Sequence, residues 1–120
     1  MKRNEIVEQS LEFAVRIVKL YQYLCSEKRE FILSKQILRS GTSIGAMVRE
    51  AEQGESTADF IHKLSIAMKE AKETEYWLIL LKRTGYLTEK QFSSIYDDGV
   101  ALVKLLTAII KSMKEGTKNN

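Results

Sequence analysis

The chain has 120 residues, 44% hydrophobic and 29% charged, a balance that suits one small globular domain. Its net charge of +3 sits entirely in the segment from Lys104 onward, where Lys104, Lys111, Lys114 and Lys118 face only Glu115, so composition alone does not mark a nucleic-acid binder and any basic patch must come from folding or assembly. A single cysteine, Cys25, excludes an intrachain disulfide; the longest apolar run, Tyr76 to Leu81, is too short to span a bilayer; and the charged start reads as no signal peptide, so a soluble, cytoplasmic chain is expected.

Proline is absent, which fits long helices and short turns. The first helix is predicted from about 4 to 25, with Asn4 as its cap. Its core stripe is Ile6, Phe13, Ile17, Leu20 and Leu24, and Leu11, Ala14, Val15 and Val18 are expected to widen the buried face. The second helix is predicted over 28–53, on Leu33, Ile37, Gly41, Ile44, Val48 and Ala51, with Gly54 as a stop. Ser56 is the expected cap of the third, over 57–84, with Phe60, Leu64, Ala67, Ala71, Thr74, Leu78 and Leu81 inside and Gly85 ending it. Thr88 and Gln91 form a capping box for the fourth, over 89–115. Its seam, Phe92, Ile95, Gly99, Leu102, Leu106, Ile109 and Met113, steps by three and four. Gly116 is expected to stop it and residues 117–120 to form a disordered tail. The fold class is therefore all-α, an antiparallel up-down four-helix bundle occupying residues 1–116.

Ser40-Gly41-Thr42-Ser43-Ile44-Gly45-Ala46 is poor helix sequence, because each interior glycine costs about 1 kcal/mol relative to alanine. Either the small residues allow a tight helix crossing, or the stretch breaks into a ligand-facing loop. It is not a phosphate-binding loop, since no G-x-x-x-x-G-K-[ST] run or preceding strand is present.

Catalysis and metal binding find little support. The one histidine, His62, makes a single carboxylate–histidine pair with Asp59, whereas bundle di-iron sites need two Glu-x-x-His pairs. Glu50, Glu70 and Glu73 are expected to pair with lysines, as in Lys69–Glu73 and Asp59–Lys63 at helical spacing. Cys25 closes a helix, where the dipole opposes the thiolate, and Ser40 and Ser43 lack a local base. No catalytic residue, metal or cofactor is expected.

The third helix carries apolar residues beyond its core stripe. A helix in a lone bundle keeps one wet face, so the excess points to a covering subunit. Ile66, Tyr76, Trp77 and Leu80, with Met47 of the second helix, are the candidate interface, and Tyr76 and Trp77 suit anchor roles. The candidate nucleic-acid contacts are Arg39, Arg49, Lys63, Lys69, Lys72, Lys82 and Arg83; repeated around an oligomer, such a patch would hold several phosphates. The alternative is a protein-interaction scaffold without direct nucleic-acid contact.

Three segments carry a family resemblance. They are Ile37-Leu38-Arg39-Ser40-Gly41-Thr42-Ser43-Ile44-Gly45-Ala46 with Val48-Arg49-Glu50-Ala51, then Asp59-Phe60-Ile61-His62-Lys63-Leu64-Ser65-Ile66-Ala67-Met68-Lys69-Glu70-Ala71, and Glu73-Thr74-Glu75-Tyr76-Trp77-Leu78 followed by Lys82-Arg83-Thr84-Gly85-Tyr86-Leu87. Together they resemble the bacterial four-helix-bundle proteins encoded by intervening sequences in 23S ribosomal RNA genes, and are similar to the accessory protein of diversity-generating retroelements. The resemblance implies a homopentameric ring, no enzymatic activity and, for the retroelement relative, binding to a reverse transcriptase and nucleic acid. Met47 departs from the family pattern, which usually has asparagine there; a flexible apolar chain replaces an amide.

Overall fold

Apolar residues recurring every three or four positions produce four helices in the computed structural model, which describes residues 2–118. These are α1 (Lys2–Ser26), α2 (Leu33–Glu52), α3 (Thr57–Arg83) and α4 (Glu89–Lys118). Each packs against its chain neighbours, and α4 closes back on α1, giving an up-down bundle 52 Å long and about 20 Å across. No strand occurs among the described residues.

The predicted seams form the core. All seven stripe positions of α3 are buried, as are Ile6, Phe13, Ile17 and Leu24 of α1. Ile37, Ile44, Val48 and Ala51 come from α2, and Ile95, Leu102, Leu106 and Ile109 from α4. The expected widening on α1 is found only at Ala14, which is half-buried. Leu11, Val15 and Val18 are exposed, because they lie on the far side of the helix from the Ile6–Phe13–Ile17 stripe.

Several ends follow the expected chemistry. Ser56 Oγ accepts from the Asp59 amide at 3.0 Å. At α4 the box is reciprocal: the Gln91 amide donates to Thr88 Oγ1 at 3.1 Å, and the Thr88 amide donates to Gln91 Oε1 at 2.9 Å. Gly85, at φ +87°, closes α3 in a Schellman motif. The Gly85 amide donates to the Lys82 carbonyl, and the Tyr86 amide to that of Leu81.

Other ends differ. Asn4 lies inside α1, which begins at Lys2. Gly116 lies inside α4, which continues through Thr117 to Lys118; residues 119–120 of the expected tail fall outside the described residues. The start of α2 moves from 28 to Leu33. Arg29 takes a left-handed φ of +54° to reverse the chain, and the Glu30 amide bonds back to the Leu24 carbonyl. The buried Glu30 carboxylate then accepts from the amides of Ile32, Leu33 and Ser34 at 3.2, 3.1 and 2.7 Å. It serves the orphan donors that a shorter Ser or Asp cap serves elsewhere. Burial opposes its ionisation, but these amide bonds prevail and hold the carboxyl below its usual range.

The glycine-rich stretch of α2 is unbroken helix, so the tight-crossing reading stands. A Cβ on Gly41 would sit 2.6–2.8 Å from Ile17 of α1, and one on Gly45 would sit 3.3 Å from the Ser10 carbonyl. Around them the hydroxyls of Thr42 and Ser43 return to the Leu38 and Arg39 carbonyls. The buried hydroxyls of Ser40 and Thr74 pair across α2 and α3 at 3.0 Å.

Candidate functional site

The α2–α3 seam is antiparallel, with its register set by Ser40 against Thr74 and by two ion pairs, Arg39–Glu73 and Lys63–Glu50. That register places Met47 level with Ile66, and Trp77 level with Gln36. The candidate interface residues thus share one side of the bundle. Met47 and Trp77 are half-buried and packed on the core. Ile66 and Leu80 are half-buried, and Tyr76 is 58% exposed. Tyr76 meets the Trp77 ring edge-on at 5.1 Å. The indole Nε1 is shielded from solvent and has no acceptor among the described residues. A buried N–H without a partner costs about 1–3 kcal/mol.

The seven candidate nucleic-acid residues do not form one patch. Arg39 pairs with Glu73 and lies 3.6 Å from Glu70. Lys63 bonds Glu50 at 3.0 Å, and that carboxylate raises its pKa. Lys72 lies 3.7 Å from Glu75. Lys82 sits 2.6 Å from Glu89, whose carboxyl it holds below the usual range, and also rests 4.6 Å over the Phe92 ring. Arg49, Lys69 and Arg83 are exposed, with no ion pair among the described residues. Arg49 borders the α1–α2 groove, away from the other two.

The expected same-helix pairs Lys69–Glu73 and Asp59–Lys63 give way to cross-helix pairs, because Arg39 and Glu50 of α2 reach the same groups. Cys25 is half-buried, its Sγ 3.8 Å from Ser34 Oγ. His62 is exposed, and no cluster of potential metal ligands occurs among the described residues. No helix among them is long and apolar enough to cross a membrane.

Sequence reasoning missed a groove between α1 and α4. It measures about 530 Å³ and has Leu20, Leu87 and Ile95 on its floor, Tyr23 and Gln91 on its wall, and Lys19 and Lys90 at its rim. Arg16, also on its lining, bonds Asp98 at 2.5 Å, Ser94 Oγ at 2.9 Å and the Ser94 carbonyl at 3.1 Å. The signal was Arg16 and Lys19 in α1 and Lys90 in α4, but only the closure of α4 on α1 brings them together.

Among curated proteins none is a significant match to the chain. A solved structure is similar: a protein with unknown function from the S23 ribosomal protein family of Bacteroides thetaiotaomicron VPI-5482. It is 63% identical, with a TM-score of 0.92, and the alignment covers 92% of this chain and 99% of that one. The family model described as 23S rRNA-intervening sequence protein matches residues 2–108, nearly all of the bundle, so the chain belongs to that family.

Proposed function

We propose that this protein is a non-enzymatic, self-assembling, RNA-associated binding protein. Membership of the 23S rRNA-intervening sequence family carries the RNA reading. The basic groups Arg49, Lys69 and Arg83, left without carboxylate partners among the described residues, support it. Measured against salt, RNA affinity should fall steeply, as expected when phosphate contacts release counterions. No binding at low salt, or a flat slope, rejects it.

The assembly reading rests on the α2–α3 face, where exposed Tyr76 lies beside half-buried Trp77 with its unanswered indole N–H. Copies join through this face, with a ring of five as the expected stoichiometry. Light scattering should return a multiple of the 13.8 kDa chain mass, and Trp77→Ala should lower that mass while leaving helicity intact. A monomeric unmodified protein overturns this.

Exposed Tyr76 on the same face also favours a second reading, a scaffold for another protein such as a reverse transcriptase. Pull-down after nuclease treatment separates the two, since a partner lost with the RNA was not held by protein contact.

A further inference from the structure

The fold segregates charge that the linear sequence disperses. The loop half of the bundle, residues 19–39 and 74–95, holds eight Lys or Arg and four Glu, a net +4; the remainder, with eleven basic and twelve acidic residues, is −1. Three of the four loop-half carboxylates are committed: Glu30 to the α2 amides, Glu75 to Lys72 and Glu89 to Lys82. Seven of the ten aromatic residues lie in this half as well. At its tip Phe31 is 45% exposed, with the Arg29 guanidinium 5.3 Å from its ring centre. Basic groups interleaved with aromatic faces are what single-stranded nucleic acid requires.

The α1–α4 groove opens on this half. Lys19 and Lys90 at its rim have no carboxylate partner among the described residues, whereas Arg16 beside them pairs with Asp98. The floor of Leu20, Leu87 and Ile95 suits a flat apolar face. On the wall, Tyr23 Oη accepts from Gln91 Nε2 at 3.2 Å, which leaves the phenol free to donate its own proton outward. A duplex keeps its bases stacked inside and cannot use such a floor; an unpaired nucleotide can. We propose that this groove takes one unpaired base of a single-stranded RNA segment, packed against Tyr23, with Lys19 and Lys90 on the flanking phosphates.

This placement rests on the RNA reading above, and a paired experiment separates them. Binding of a fluorescein-labelled oligouridylate is measured against salt for the unmodified protein, for Lys19→Glu/Lys90→Glu in the groove and for Arg49→Glu/Lys69→Glu on α2 and α3. The Lys19 and Lys90 side chains are exposed, so the groove variant keeps its fold, as a thermal melt checks. The expected result is at least a tenfold loss of affinity for the groove variant. The slope of log affinity against log salt should become shallower by about 1.4, the value for two single-strand phosphate contacts. Tyr23→Ala should weaken binding by about fivefold or more with the slope unchanged, the signature of lost stacking. A duplex of the same length should bind more weakly to the unmodified protein. Loss confined to the Arg49/Lys69 variant, or a duplex bound as well as the single strand, overturns the groove while the RNA reading stands. If the unmodified protein binds no RNA at low salt, both fall. An oligodeoxyuridylate bound equally well removes RNA preference and leaves single-strand binding.

Discussion

Helix α1 has two flanks, and they are built differently. Toward α2 the contact is tight: Gly41 lets Ile17 fill the space its own Cβ would occupy, and Gly45 lies against the Ser10 carbonyl. Toward α4 the helices stand apart, Gly99 leaves Phe13 at 3.6 Å from where a Cβ would sit, and polar groups bridge the gap over an open groove. Glycine thus plays unlike parts on the two flanks. On one it is a steric requirement; on the other it is a helix residue with room to spare. The tight flank fixes the bundle, and the loose one leaves space for a ligand.

Substitutions sharpen this contrast. The largest effect is expected from Gly41→Ala. Overpacking costs about 1–3 kcal/mol and improved helix propensity returns about 1 kcal/mol, so denaturant unfolding should show a net loss of up to about 2 kcal/mol. Glu30→Gln, at the turn holding the tight flank, should cost about 1 kcal/mol at neutral pH by weakening the cap on α2. Its folded carboxyl lies below its unfolded value. The contribution is therefore present above the ordinary carboxylate range and lost as pH falls through the folded value. The gap between Glu30→Gln and the unmodified protein should close in acid, and a gap that persists there would show that the charge was not the cause.

Gly99→Ala on the loose flank should go the other way and stabilise by about 0.5–1 kcal/mol, since the new methyl meets Phe13 at ordinary contact distance. A loss there would erase the distinction between the flanks. The smallest effect is expected for Arg16→Ala. Its pair with Asp98 is exposed, so the cost should stay below about 1 kcal/mol and shrink with added salt.

The core was legible because it depends on period. Every predicted stripe position of α3 is buried, and the same three-and-four step found α4. What failed was side rather than period. Leu11, Val15 and Val18 are apolar, but they lie on an exposed face, and their residue type does not reveal that. The start of α2 was hidden because a glutamate reaching across three amides takes the place of a short Ser or Asp cap. The pairing of the basic residues was not legible, because it depends on which helix stands beside them. Arg39 looks free in the sequence and Lys63 looks paired with Asp59, yet they meet Glu73 and Glu50 across α2 and α3. The groove was illegible for the same reason, since its two rim lysines are far apart in sequence.

An up-down path of four helices sets where the molecule can be handled. The first residues of α1 and the last of α4 lie at the same end, opposite the α1–α2 and α3–α4 turns. A surface tether, affinity handle or fluorescent fusion attached at either extremity therefore points away from Phe31, Lys19 and Lys90. A sensor chip loaded that way displays every copy with those two turns outward, so orientation on the chip comes from topology without chemical design.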